Sequence, residues 1–479
     1  MIAASALTHQ HSAPTSLLLR LALGETPDSI PTVRDVSRRT QAAALSIDGE
    51  GPIDRITNCL AGQFRAARLF PAAAHPPSPG ATHLGYDGIE QSTGMAGTLM
   101  LRVPAGTPVG DLCDALAQIS TVKSVSLNYI VQTPFDSGEP LPLPHSEDGG
   151  WTARKMVRLQ EALAIEPGDD GVVVGLIDSG VNSRHPEFAH TFRSGFDTVR
   201  LESGDVAAGI ELLGDHQAMD MRPRDVFVGH GMGCAGIIAA RGIGMPRGLG
   251  GLCRILPMRA LAAAKLPNAK VVGIGAISDL DLALKLAVDL GAKIINMSFG
   301  TDDAALLPNS PKPHADTVAY AIARGCILIA ASGNNGRETR YWPAAFPEVI
   351  AVGAVNDSRV PASFSTLGDH VALCAPGQKV LTSAIDGYQS VSGTSFAAPF
   401  VAAAAALLVA RSHRRARPID CETIRRILMA TAQPFAGTAS GCGAGIVDAA
   451  AALVALDREI DQIPGYSTGP DADGGADDG

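Results

Sequence analysis

Four apolar runs constrain the fold of this chain more than any other feature. They are "GVVVGLIDSG" (171–180), "AKIINMSFG" (292–300), "CILIAASGNNG" (326–336) and "EVIAVGAV" (348–355). Helical patterns at 276–291 and 315–325 directly precede the second and third runs. Such runs are typical of buried parallel strands. Strands that alternate with helices form a parallel sheet covered on both faces, and functional groups collect at the carboxyl ends of its strands. The sequence therefore predicts an α/β domain with a central parallel sheet.

A second feature is a serine at the start of a long apolar segment. The segment from Phe396 to Ala410 contains no polar side chain, and it is shorter than the roughly 18–20 residues that span a bilayer. Alanine and leucine favour a helix, and a helix that is apolar all round is buried. Ser395 then lies at a helix N-terminus, where free N–H groups stabilise negative charge. It is either a helix cap or a nucleophile, and a nucleophile needs a base and an orienting acid.

Candidates for the missing groups lie elsewhere in the chain. Asp178 ends the first apolar run, His230 lies between two glycines in "VGHGMGCAGIIAA", and Asn334 lies in "AASGNNG". A buried carboxylate orients an imidazole, and a side-chain amide donates to an oxyanion. Each residue taken alone is more often a turn, cap or structural residue. Together with Ser395, the set favours nucleophilic catalysis.

These segments, in this order, resemble the motifs of the subtilisin-like serine peptidases, or subtilases. The resemblance runs from about Trp151 to Ala455 and includes "LIDSGVNSRHPEF", "GHGMGCAGIIAA", "INMSFG", "AASGNNG" and "SGTSFAAPFVAAAAALL". It implies a three-layer subtilisin-like domain in which Ser395 attacks, His230 is the base, Asp178 orients it and Asn334 holds the oxyanion. Met232 and Gly233 stand where the family usually has Thr and His, which predicts a divergent but active enzyme.

The resemblance also implies how a peptide would bind. The substrate adds as an extra strand, and its P1 residue is the one whose carbonyl is attacked. The expected contacts are Ser298, Phe299 and Gly300 for the strand, Ala331 and Gly333 for an open P1 pocket, and Ile277 and Leu280 for an apolar P4 pocket. Thr301 and Asp302 are expected to restrict or polarise the rim of the P1 pocket.

The region before the catalytic domain resembles a subtilase propeptide, an intramolecular chaperone and inhibitor. The resemblance covers 97–133, and the Pro-, Gly- and acid-rich segment that follows predicts self-cleavage within 132–150. The predicted organisation is an N-terminal extension of unknown role (1–58), a small α+β propeptide-like domain (59–133), a linker (134–150), the peptidase domain (151–456) and an acidic disordered tail (457–479).

Composition restricts the partners. A net charge of −10 and a pI of about 5.6 argue against nucleic acid or an anionic membrane as a partner. The expected partners are a protein or peptide substrate and the chain's own N-terminal region. The N-terminus does not match a secretory signal, which favours the cytoplasm, whereas family analogy favours export.

The cysteines and acidic residues indicate which metal sites and disulfides the chain could form. The eight cysteines contain no CxxC pair, so a zinc cluster is not expected. Many subtilases bind calcium and Glu187 matches a ligand position, but the loop 240–251 lacks the oxygen ligands of a calcium cage, so no metal-ligating residue is assigned and calcium is left open as a cofactor. The resemblance suggests a Cys421–Cys442 disulfide if the protein is exported.

The leading hypothesis is a serine endopeptidase that works through an acyl-enzyme and is made as a self-processing zymogen. Two alternatives stay open. An inactive peptide-binding homologue normally lacks a triad member. A peptide ligase or esterase uses the same triad but passes the acyl group to a different acceptor.

Overall fold

The computed structural model describes residues 12–73, 85–133, 136–137 and 150–462. Its strands are β1 (Ser12–Leu21), β2 (Arg65–Arg68), β3 (Thr98–Arg102), β4 (Val122–Gln132), β5 (Asp136–Ser137), β6 (Val173–Asp178), β7 (Phe196–Asp197), β8 (Glu211–Leu213), β9 (Arg254–Arg259), β10 (Ala262–Lys265), β11 (Val271–Ala276), β12 (Ile294–Met297), β13 (Thr301–Asp302), β14 (Ile327–Ala331), β15 (Tyr341–Trp342), β16 (Val349–Val355), β17 (Val371–Pro376), β18 (Val380–Ser383) and β19 (Tyr388–Ser392). Its α-helices are α1 (Val33–Ser37), α2 (Pro52–Ala61), α3 (Gly88–Ser92), α4 (Val109–Leu116), α5 (Trp151–Met156), α6 (Leu159–Ile165), α7 (His230–Ala239), α8 (Ile277–Asp289), α9 (Ala315–Ala323), α10 (Thr394–Arg414), α11 (Cys421–Ala430) and α12 (Ala449–Asp461).

A parallel sheet of order β17-β16-β14-β12-β6-β9-β7 forms the centre of the larger domain. Alternate residues of β6 enter different cores: Val174 and Leu176 pack with α7 and α10, whereas Val173 and Ile177 pack with α8 and α9. The sheet is therefore covered on both faces by helices. The predicted three-layer α/β domain with a central parallel sheet is confirmed.

Helix α10 is the central helix of this domain. Its 21 residues are long and apolar enough to cross a membrane, but 94% of its most apolar window is buried inside the protein. Gly393, just before the helix, has φ 151°, a conformation that favours glycine. The apolar segment after Ser395 is thus a buried core helix, as predicted.

The N-terminal domain, residues 12–133, is built on four antiparallel strands in the order β2-β3-β1-β4. Strand β1 lies in the middle of this sheet and buries Leu17 and Leu19. Helix α2 crosses residue 58. The predicted boundary between an extension (1–58) and a propeptide-like domain (59–133) is therefore wrong, because one sheet includes residues from both sides of it.

The sheet of the N-terminal domain continues into the larger domain. Strand β4 pairs with β11, and the order β4-β11-β10-β8 completes one sheet of seven strands. At the other end of the chain, α12 extends to Asp461, so the first residues of the predicted disordered tail are helical. The rest of that tail, and the predicted linker apart from 136–137 and Gly150, lie outside the described residues.

The structure does not support a Cys421–Cys442 disulfide. All eight cysteines are free thiols. Cys421 lies beside the backbone of Leu328 in β14, whereas Cys442 lies against β17, where the Cys374 thiol is 3.3 Å from the Cys442 carbonyl oxygen. Strand β16 separates β14 from β17, a spacing of roughly 10 Å. A disulfide needs Cα atoms less than about 7 Å apart.

Candidate active site

Asp178 and His230 form a buried acid–imidazole contact at the carboxyl end of β6. The Nδ1 atom of His230 lies 2.7 Å from Oδ1 of Asp178, and each side chain is 1% exposed. The same Oδ1 accepts a hydrogen bond from the Ser179 N–H at 2.7 Å. His230 is the first residue of α7, and Gly229 before it has φ 78°. The helix start and the strand end therefore fix both partners.

A second carboxylate, which the sequence analysis did not single out, positions the loop before His230. Asp225 accepts the Ser179 hydroxyl and the Gly229 N–H, each at 2.7 Å. Ser179 in turn accepts the Gly231 N–H at 3.0 Å. Burial raises the pKa of Asp225, against several hydrogen bonds that lower it. Asp225 thus ties the histidine turn to the residue after Asp178; no local motif indicates this, because the contact depends on the fold.

Ser395 lies on the first turn of α10, close to the Asp178–His230 pair. Its hydroxyl donates to the Ser298 carbonyl oxygen at 3.2 Å, and the Ser298 hydroxyl donates to the Ser395 carbonyl at 2.7 Å. The His230 ring lies 5.0 Å from the ring of Phe396. The structure therefore brings Asp178, His230 and Ser395 into one site.

Asn334 is held with its amide toward the same site. Its Oδ1 accepts the Thr394 N–H at 2.8 Å and the Thr394 hydroxyl at 3.0 Å. Because the oxygen is engaged in this way, the Nδ2 group is the free end of the amide for an incoming oxyanion. A methyl group built on Gly393 would lie 3.6 Å from that nitrogen. Thr394 is therefore a positioning residue for Asn334.

The packing behind His230 explains why Met232 and Gly233 can stand where subtilases usually have Thr and His. Met232 is fully buried, and its sulfur accepts the Asn182 N–H at 3.0 Å. A methyl group built on Gly233 would lie 2.8 Å from the Phe396 ring, so glycine leaves room for that ring. The Met-Gly pair thus gives a packed support for the histidine helix.

A buried thiol, that of Cys234, lies close to Asp178, His230 and Ser395, and the sequence analysis did not single it out. The sulfur of Cys234 is within 4.8 Å of ligand atoms of Asp178 and His230, and 3.4 Å from the Ser395 carbonyl oxygen. Burial, followed by the charge of Asp178, raises the pKa of this thiol well above its ordinary value. Cys234 is therefore protonated and fills space at the site.

A cavity of about 250 Å³ opens beside Ser395. The predicted substrate residues that line it are Ser298, Phe299, Gly300, Ala331 and Gly333, together with Asn334. Ile277 and Leu280 do not line this cavity; they belong to a buried cluster that also includes Val131 of β4. Ile277 instead lines a second cavity together with Leu127 and Tyr129 of β4, so this predicted P4 residue lies beside the N-terminal domain.

The predicted P1 residues do not enclose an open space, because Tyr341 lies against them. A methyl group built on Gly333 would lie 2.6 Å from Cδ2 of Tyr341, so the tyrosine ring contacts this wall of the pocket. Thr301 and Asp302 also line the cavity, and Asp302 pairs with Tyr341 across β13 and β15. The prediction missed Tyr341 because it lies on a separate two-residue strand.

The N-terminal domain occupies the cleft on one side of Ser395. Ile130–Gln132 of β4 pair with residues 274–276 of β11 and line the same cavity. The next residue, Thr133, donates its N–H to the Gly273 carbonyl at 2.8 Å. On the other side, β5 pairs with β19, where Ser392 is opposite Asp136. Strands β4 and β5, which come before the peptidase domain in sequence, thus both pair with strands close to Ser395.

Glu187 does not fit a calcium site. Its carboxylate accepts backbone N–H groups of Gly242, Ile243 and Gly244 at 2.7–3.1 Å, and the Tyr388 hydroxyl at 3.1 Å. Burial alone would raise the pKa of Glu187, but these donors lower it below its ordinary value. Calcium requires oxygen ligands, whereas N–H donors surround this carboxylate. Glu187 therefore ties the loop 242–244 directly to the protein.

We expect chelation to leave stability unchanged and loss of this carboxylate to reduce it. EDTA should not shift the melting temperature, since the loop is held by N–H groups. Glu187→Gln should lower the free energy of unfolding by about 3 kcal/mol, because it removes charge-assisted hydrogen bonds. Differential scanning calorimetry with EDTA or calcium measures both effects, with the exposed Glu211→Gln as control. A calcium-dependent rise of several degrees would contradict the assignment.

Comparison with known proteins agrees with this geometry. Residues 169–445 match the Subtilase family. A thermophilic serine proteinase of Bacillus sp. (strain AK1) is 34% identical over 280 residues, which cover 57% of this chain and 59% of that protein. Thermitase of Thermoactinomyces vulgaris is 30% identical over 280 residues, which cover 58% of this chain and 87% of that protein.

Two solved structures are similar. The prenylagaramide maturation protease PagA has a TM-score of 0.50 and 27% identity, and the match covers 62% of this chain and 98% of that chain. A protease of Pseudoalteromonas arctica PAMC 21717 has a TM-score of 0.54 and 25% identity, covering 66% of this chain and 100% of that chain.

The fold and site define a subtilisin-like α/β protein. The chain belongs to the subtilase family, and it spans about 59% of the length of the first relative named.

Proposed function

We propose that this chain is a serine endopeptidase that hydrolyses peptide bonds through an acyl-enzyme. The observation that carries the proposal is the 2.7 Å contact between Asp178 and His230 beside a serine on the first turn of a buried helix. A structural serine cap needs no buried acid–imidazole pair. The arrangement therefore supports nucleophilic catalysis over a capping role.

In the proposed mechanism, the Ser395 Oγ attacks the peptide carbonyl while His230 takes the hydroxyl proton. Asp178 keeps the imidazole in the required tautomer and stabilises the imidazolium. The Asn334 amide and the Ser395 backbone N–H stabilise the oxyanion. His230 then gives the proton to the leaving amine, and a water molecule, activated by His230, releases the acyl group and restores the serine.

A labelling experiment separates this proposal from its alternatives. A fluorophosphonate probe should label Ser395 of the processed protein, and a peptide assay should show hydrolysis products. An inactive homologue would bind peptide without labelling or cleavage. A ligase would label but join the acyl group to an added amine in preference to water. Either of these results would overturn the proposal of an endopeptidase.

Asn334→Ala should lower kcat by roughly 100–1000-fold with little change in KM, as for a donor used mainly in the transition state. The matched control is Asn268→Ala, since Asn268 is exposed in a loop. Steady-state kinetics on one peptide measure both constants. A higher KM with an unchanged kcat would make Asn334 a binding residue and place the oxyanion site elsewhere.

We also propose that the N-terminal domain is an inhibitory propeptide that the enzyme cuts from itself. Support comes from β4 and β5, which pair with strands on opposite sides of Ser395. Three peptide bonds join Thr133 to Asp136. Within the predicted cleavage region of 132–150 we expect the cut in one of these three bonds, because they join β4 to β5, the two strands of the N-terminal region that pair close to Ser395.

Buried ion pairs support retention of the N-terminal domain after the cut. Lys285 of α8 lies 2.7 Å from Glu90 of the N-terminal domain, and both side chains are fully buried. Arg102 pairs with Asp205 at 2.8 Å. Removing one partner from a buried pair costs several kcal/mol, so dissociation requires water to replace these contacts. The cut N-terminal domain is therefore expected to stay bound as an inhibitor until it is degraded.

A further inference from the structure

We propose that Tyr341 is an internal plug of the P1 pocket, and that it restricts this enzyme to peptides with a small P1 residue such as Gly, Ala, Ser, Thr or Pro. This inference rests on the proposed peptidase function. It assigns a specificity-determining role to one side chain of the chain itself.

The tyrosine ring lies between the two walls of the pocket. One wall is Gly300, which follows β12, and the other is Gly333, which follows β14. A methyl group built on Gly300 would lie 3.4 Å from Cδ1 of Tyr341, and one built on Gly333 would lie 2.6 Å from Cδ2. The opposite edges of one ring therefore face the two glycines. A peptide ring cannot enter the space between these walls while the tyrosine ring occupies it.

Several contacts fix the backbone that carries the ring. Tyr341 pairs with Asp302 in the β13–β15 ladder. The neighbouring Trp342 donates its indole N–H to Asp303 at 2.7 Å, and Lys312 lies 5.5 Å above the indole ring. Strand β15 is thus held both by its ladder with β13 and by the contacts of the Trp342 side chain. The backbone position from which the Tyr341 ring extends into the pocket is therefore fixed.

The phenol is also held at its polar end. Burial, followed by the neighbouring Asp302 carboxylate, raises the pKa of Tyr341 to about 12. The phenol therefore stays neutral. Asp302 is the one charged side chain among the described residues that line the cavity. An acidic P1 side chain would meet this carboxylate, so the small residues expected at P1 are also uncharged.

The plug also predicts which bond of the proposed cleavage region is cut. The three bonds between Thr133 and Asp136 offer Thr133, Pro134 or Phe135 as the P1 residue. A plugged pocket excludes Phe135. Self-cleavage should therefore leave a new N-terminus at Pro134 or Phe135, and a new N-terminus at Asp136 would contradict the plug.

The direct test is a set of fluorogenic peptides that differ only at P1, with Gly, Ala, Ser, Leu, Phe or Glu. For the processed wild-type enzyme, kcat/KM with Ala should exceed that with Phe on the order of 100-fold, since a pocket discriminates by about 10–200-fold for each group that it cannot accommodate. Tyr341→Gly should raise kcat/KM for Phe by a similar factor. Tyr341→Phe keeps the ring and should keep the preference for small residues.

The outcomes separate the plug from the peptidase proposal. Fluorophosphonate labelling of each variant reports the nucleophile whatever the P1 preference. Labelled wild-type enzyme that cleaves Phe and Ala peptides equally well would overturn the plug and leave the peptidase function standing. Labelled enzyme that cleaves none of the peptides would overturn the peptidase function. If Tyr341→Gly does not fold, the wild-type profile and Tyr341→Phe still decide, because loss of the small-residue preference in Tyr341→Phe contradicts a steric plug.

Discussion

Ser395→Ala is expected to lower kcat by roughly 10⁶-fold, to the rate that binding and the oxyanion donors alone can support. The reason is that the Ser395 hydroxyl, on the first turn of α10, lies against the Ser298 carbonyl, and the next residue, Phe396, packs on the His230 ring. Stopped assays with a peptide substrate, after removal of the N-terminal domain, measure the loss.

The control for this change is Ser358→Ala, since Ser358 is exposed in a turn far along the chain from the site. His230→Ala should lose about as much activity as Ser395→Ala, and the double variant should lose no more, because triad members act as a unit. Additive losses would mean that His230 and Ser395 act in separate steps.

Asp178→Asn is expected to lower kcat by about 10⁴-fold while leaving KM and the fold little changed. An asparagine amide that donates to Nδ1 of His230 would hold the ring in the wrong tautomer, with a proton on the nitrogen that must act as base. The 2.7 Å contact and complete burial of the pair leave water little access to repair the defect.

Kinetics and circular dichroism on the same preparations test this prediction. The matched control is Asp170→Asn, an exposed carboxylate that pairs with Arg254 on the surface. A loss of less than tenfold in Asp178→Asn would show that Asp178 does not orient the base, and another group would have to do so.

The parts of the site that were predictable from sequence are those that local pattern determines. Asp178 and Asn334 each follow an apolar strand, and the carboxyl ends of neighbouring parallel strands meet at one edge of a sheet. Ser395 was predictable because it directly precedes the segment from Phe396 to Ala410, which contains no polar side chain. The positions of these three residues can be predicted from the end of a strand or the start of a helix alone.

The other features depend on contacts between distant segments. Tyr341 is placed against Gly333 by a two-residue ladder with β13, and two residues are too few to show any periodicity in the sequence. Asp225 reaches Ser179 from a loop without a pattern of its own. The place of β1 in the N-terminal sheet was missed because its apolar residues lie before the segment that resembles a propeptide. Glu187 was recognised as a ligand-like residue, but its N–H partners depend on the path of the loop 242–244.

The most direct test of the central claim is the intact mass of the wild-type protein and of Ser395→Ala after identical purification and incubation. If this chain is a serine peptidase that processes itself, the wild type should give two fragments whose masses place the cut between Thr133 and Asp136. Ser395→Ala should remain one chain of 49.3 kDa. A wild-type chain that stays whole while it hydrolyses peptides would contradict the inhibitory propeptide, and equal cutting of both proteins would show that another protease makes the cut.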